Sequence, residues 1–118
     1  MQRTWIVFAS LIGLTAVGMA AYAAHGVTDP NAGRIVSSGV QMQGWHALAL
    51  LGTALWIPKG GWIASIAAAA FTLGTVLFCG AVYSLALAGA SWGISAPIGG
   101  TILMVGWLLL GLSALTAR

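Results

Sequence analysis

From Gly60 to Ala117 the chain carries no charged side chain, which is far more apolar sequence than a single buried core helix requires. The remainder is nearly as apolar. A soluble domain has about a quarter of its residues charged, whereas here 4% are charged, 60% are hydrophobic and the mean hydropathy is +1.02. The charges, Arg3, Asp29, Arg34, Lys59 and Arg118, only punctuate the apolar runs. The chain reads as an integral membrane protein.

A spanning helix needs about 20 mainly apolar residues, which places spans near 5–24, 38–57, 62–87 and 96–116. Runs such as "WIASIAAAAFTLGTVLF" are unbroken, whereas a barrel strand would alternate apolar and polar residues over about ten positions. The expected fold class is therefore all-α: one domain over residues 1–118, with four transmembrane helices in an antiparallel bundle. The first segment also has a basic start and an Ala-Tyr-Ala stretch like a secretory signal. It is expected to stay as helix one, because its loss would expose the packing faces of the other three.

Between the first two spans, Asp29 followed by Pro30 suits an N-cap and N1 pair, and a short interfacial helix in the first outer loop is expected to begin there. Lys59, Gly60 and Gly61 form a tight turn that makes helices two and three a hairpin. Pro97 suits the first turn of helix four. By the positive-inside rule Arg3, Lys59 and Arg118 share one side, against Arg34 with Asp29, so both termini are expected in the cytoplasm. Trp5, Trp56 and Trp62 then fall at inner ends and Tyr22 and Trp92 at outer ends, while Trp45 and Trp107 are expected to pack between helices.

Several function classes recede on composition alone. The pI near 9.8 comes from four scattered cations rather than one basic face, which argues against a nucleic-acid partner. Cys79 is the only cysteine, so neither an intramolecular disulfide nor a thiolate metal site is expected. Catalysis usually needs a nucleophile with His and a carboxylate, yet the one carboxylate side chain is Asp29, in a loop. No catalytic residue, metal or cofactor is assigned. A haem held by two histidines is disfavoured, because His25 ends helix one and His46 lies ~12 Å deeper than Ser38 at 1.5 Å per residue.

Helical spacing then organises the polar residues. In "QMQGWHALAL" Gln43 and His46 join Gly39, Ala49 and Thr53 in one small or polar stripe of helix two, and Thr72, Thr75, Cys79 and Tyr83 form another on helix three. The two stripes are expected to face each other. Ala9 with Gly13, Ala70 with Gly74 and Gly80 with Ser84 place small residues four apart, as helix packing in lipid favours. His25, Gln43, His46 and Tyr83 form the candidate polar cluster. They serve either as interhelical hydrogen-bonding groups, with Gln43, Tyr83 or Thr75 as partners of His46, or as the polar contacts of a pocket for a small amphiphile such as a lipid or quinone.

"AAHG" at 23–26, Gln43 with "HALAL" at 46–50, "LFCGAVY" at 77–83, "PIGG" at 97–100 and Gly106-Trp107 resemble the motifs of the domain of unknown function 423 family. That family groups small bacterial inner-membrane proteins with eukaryotic transmembrane protein 256, and the match runs in order through all four spans. The resemblance implies a four-helix protein of the bacterial inner membrane, with Gly80, Pro97, Gly99 and Gly100 at structural positions, and it brings no reaction, substrate or cofactor. The leading functional reading is a non-enzymatic accessory or scaffold protein that meets membrane lipids and another membrane protein or a second copy of itself. The alternatives are a binder of a small amphiphile at the His46 cluster and a small carrier.

Overall fold

The computed structural model describes residues 2–90 and 94–117. Trp92 and Arg118, assigned above to an outer and an inner end, lie outside the described residues. The fold is all-helical: α1 runs Gln2–His25, α2 Pro30–Ala88 and α3 Ser95–Thr116, and no strand occurs among the described residues. Each of the three is long and apolar enough to cross a membrane.

Four separate helices were expected, and the structure has three because the reversal near residue 60 leaves no loop between its two sides. Helical geometry continues through Pro58, Lys59 and Gly60 and is interrupted inside α2 only at Gly61, with φ 69° and ψ −151°. That backbone region is essentially restricted to glycine. A straight helix of 59 residues would be about 88 Å long, yet the longest dimension of the molecule is 51 Å. The arms of α2 fold back on each other, so that Cys79 Sγ stands 3.5 Å from the Gly39 carbonyl and the His46 and Phe71 rings lie 5.8 Å apart.

A separate interfacial helix is likewise absent among the described residues. Asp29 does act as an N-cap, accepting from Asn31 N–H at 3.2 Å with Pro30 in the first turn. The helix it opens is α2 itself, because nothing between Pro30 and Pro58 breaks the pattern. At the other end Gly89 adopts φ 66°, and the N–H groups of Gly89 and Ala90 reach the carbonyls of Leu85 and Ser84. Such a left-handed cap satisfies carbonyls that the helix end would otherwise orphan.

Inside and outside are inverted relative to a soluble bundle. Large apolar side chains such as Val17, Leu48, Leu108 and Leu115 face outward at 63–84% exposure, while the interior is built largely from Ala, Gly and a few polar groups around Leu50, Phe71 and Leu103. Association in lipid gains little from apolar burial and depends on close approach of backbones. Gly99 shows how close: a Cβ there would stand 2.6 Å from the Phe78 nitrogen and 3.0 Å from the Gly74 carbonyl. Gly100 makes only ordinary contact with Phe78, Gly80 is half-buried and Pro97 is exposed in the first turn of α3. Both α1 and α3 pack on α2, and among the described residues no Cα atom of one comes within 8 Å of a Cα atom of the other.

Two substitutions test these positions by thermal unfolding in detergent. Gly61→Ala is expected to cost about 1–3 kcal/mol because alanine must hold a glycine-only conformation, whereas Gly52→Ala, with open space at its Cβ position, is expected to be neutral or slightly stabilising. Gly99→Ala is expected to cost about 1–3 kcal/mol through overpacking against backbone that cannot turn aside.

Candidate functional site

The inward stripe of the first α2 arm is buried at Gly39, Gln43, His46 and Thr53, with Ala49 half-buried. Gln43 is its hub. Its Nε2 donates to the Ile12 carbonyl at 2.9 Å and to Thr15 Oγ1 at 2.6 Å, while its Oε1 accepts from the Tyr83 hydroxyl at 2.7 Å. One amide thereby ties α1 and both arms of α2 together. Tyr83 also covers Gly39, where an added Cβ would stand 2.6 Å from the ring. The two stripes face each other as expected from their spacing.

His46 lies one helical turn further along and is 5% exposed. Its Nδ1 stands 2.6 Å from the Met42 carbonyl, and its Nε2 is 3.0 Å from Trp107 Nε1. An indole nitrogen only donates and a carbonyl only accepts. The ring is therefore the neutral tautomer with its proton on Nδ1, and both nitrogens are occupied. Trp107 packs edge-on against His46 and Phe71, at centroid distances of 5.9 and 5.1 Å, and thereby fastens α3 to α2. Its partner is neither Gln43 nor Tyr83 nor Thr75; the last bonds back to the Phe71 carbonyl.

His25 does not join this group. It ends α1, is exposed, and makes no bond to Gln43, His46 or Tyr83 among the described residues. Gln41 is exposed on the outer side of α2. Trp45, expected between helices, faces outward at 60% exposure: it lies one residue, or 100°, from His46, so an inward His46 turns it away. Trp107 packs as expected, although 49% of it is exposed, because only its nitrogen edge enters the bundle.

Two sets of bonds escaped the sequence reading. Thr15 and the Ile12 carbonyl receive the Gln43 amide, and Trp56 Nε1 donates to Ser113 Oγ at 2.9 Å, joining α3 to the Gly61 end of α2. The four-residue interval between Thr15 and Leu11 marks only a back-bond along one helix, and nothing in the spacing names its second partner. Trp5 Nε1 is the one buried side-chain polar atom left without a partner among the described residues. No group of three His, Cys, Asp or Glu residues gathers among them either. The cluster is a set of mutually satisfied, uncharged groups whose chemistry is cohesion between helices.

His46→Leu should leave Trp107 Nε1 without an acceptor and lower stability by about 1–3 kcal/mol. The double variant His46→Leu with Trp107→Phe should recover much of that loss, since neither residue then leaves an orphan; a double-mutant cycle of unfolding temperatures in detergent measures the coupling.

Comparison with known proteins gives this fold relatives. The family model described as "Protein of unknown function (DUF423)" matches residues 19–100. The UPF0382 inner membrane protein YgdD of Escherichia coli (strain K12) is 33% identical over 99% of this chain and 93% of its own length. A UPF0382 membrane protein of Haemophilus influenzae is 27% identical over 100% of the chain and 98% of its own length, and the UPF0382 membrane protein YwdK of Bacillus subtilis 29% identical over 96% and 97%. No solved structure matches significantly. A sparsely charged, helical, membrane-suited fold and a match that spans its helices lead to one conclusion: the chain belongs to the DUF423 family of membrane proteins.

Proposed function

We propose that this chain is a non-enzymatic accessory or scaffold protein of the inner membrane, which acts by presenting its apolar outer faces to another membrane protein. The carrying observation is the saturation of the polar cluster around Gln43 and His46. Gln43 is satisfied by Tyr83, Thr15 and the Ile12 carbonyl and His46 by Trp107 and the Met42 carbonyl, and large apolar side chains dominate the outside. Binding or catalysis inside the bundle would have to break bonds that hold the helices together. Contact from outside breaks none.

In this reading the protein crosses the membrane four times with both termini in the cytoplasm. The first arm of α2, about 31 residues, and the second, about 27, measure ~46 and ~40 Å at 1.5 Å per residue, and each exceeds the ~30 Å hydrocarbon layer. Arg3 begins α1 and Lys59 lies beside the Gly61 break, while Arg34 shares the other end with Asp29. The positive-inside rule turns the Arg3 and Lys59 end to the cytoplasm.

Reporter fusions should give a cytoplasmic signal at the C-terminus and an external one in the loop at 27–29, and the reverse would invert the topology. Native mass spectrometry after extraction in mild detergent should show a stoichiometric membrane-protein partner. A bare chain, or one that retains only a small molecule, would remove the accessory reading.

A further inference from the structure

The single carboxylate side chain, Asp29, caps the start of α2, and Lys59 lies about 30 residues, or ~45 Å of helix, from it. The Lys59 ammonium therefore has no carboxylate side chain of its own chain within reach. It lines a cleft of about 460 Å³, formed by the reversal on either side of Gly61 together with Thr116 and Ala117 at the end of α3. That volume falls among ordinary small-ligand pockets.

Helix ends contribute partial charges here. The first arm of α2 and α3 each end at the cleft and the second arm begins there, which leaves about half a negative charge of uncancelled dipole against the full positive charge of Lys59. Counted over the described residues, the cleft is net positive. Its depth in the membrane follows from its composition: an ammonium is costly in hydrocarbon and stays at the headgroup level, and Trp62, also lining the cleft and 72% exposed, suits that interface. Trp62 and Ile63 give the cleft an apolar border, which a free anion would not use and acyl chains would.

We propose that this cleft binds the phosphate headgroup of an anionic phospholipid, with Lys59 as counter-ion and Trp62 and Ile63 against the upper acyl chains. This site stands independently of the accessory reading, because it needs no protein partner. The test uses the full chain in nanodiscs of phosphatidylcholine doped with phosphatidylglycerol, with retained lipids counted by native mass spectrometry. One phosphatidylglycerol per chain should be retained in preference to phosphatidylcholine. Lys59→Gln should lower that preference about fivefold, and Ala117→Trp, which keeps the charge but fills the cleft, should lower it as well. Arg3→Gln, which removes a cation outside the cleft, should leave it unchanged. Equal losses in Arg3→Gln and Lys59→Gln would mean diffuse attraction and overturn the site, as would full retention in either Lys59→Gln or Ala117→Trp. Displacement of the lipid by millimolar inorganic phosphate would overturn the lipid assignment in favour of a free anion. Circular dichroism confirms that each variant is folded, and if one fails to fold the remaining two still decide.

Discussion

Everything in the interior depends on one backbone conformation, the reversal of α2 at Gly61. A helix that continued straight would carry Tyr83 away from Gln43 and Phe71 away from His46, and the polar stripes would then face lipid. With φ 69° and ψ −151° the chain doubles back within a residue, and Cys79 and Tyr83 arrive beside Gly39 and Gln43. The absence of side chains at Gly39, Gly74, Gly99 and Gly106 lets the helices close to contact. Dispersion and a few hydrogen bonds then do what apolar burial does in water.

The polar cluster is economical in atoms. Three contacts use the Gln43 amide, two use the His46 ring, and each ties α2 to another helix or to itself. Bonds of this kind are worth only ~0.6 to 2 kcal/mol each in a membrane, so the cluster contributes orientation as much as stability. A helix rotated by one residue would exchange His46 for Trp45 and leave Trp107 without an acceptor. The cluster thus selects one rotation of each helix among many that apolar packing alone would tolerate.

Much of this was legible in the residues. The apolar runs between charges located α1 and α3 to within a few residues, Asp29-Pro30 marked a helix start, and the 3.6-residue period turned Gln43, His46, Thr75 and Cys79 inward. Periodicity fixes a face, however, and not which residue of the next helix stands opposite. The Trp107 partner of His46 and the Thr15 partner of Gln43 depend on the axial offset between helices, which no spacing within one helix encodes. His25 was grouped with the cluster by residue type, yet its place at the end of α1 leaves it exposed. The fourth helix is not a separate element for a local reason: Lys59, Gly60 and Gly61 read as a tight turn, yet Lys59 and Gly60 remain helical and Gly61 alone makes the reversal.

The direction of the interhelical bonds has a consequence for biogenesis. Gln43 donates to residues 12 and 15, Cys79 to 39, Tyr83 to 43 and Trp107 to 46. In each case the acceptor precedes the donor along the chain. A polypeptide delivered to the bilayer from its N-terminus therefore releases each of these donors only after its acceptor has been synthesised, and no such N–H, O–H or S–H group has to wait in hydrocarbon for a later helix. Trp56 is the exception, donating forward to Ser113. It stands four residues from the Gly60 end of the first arm, where an indole can bond water or headgroups until α3 arrives.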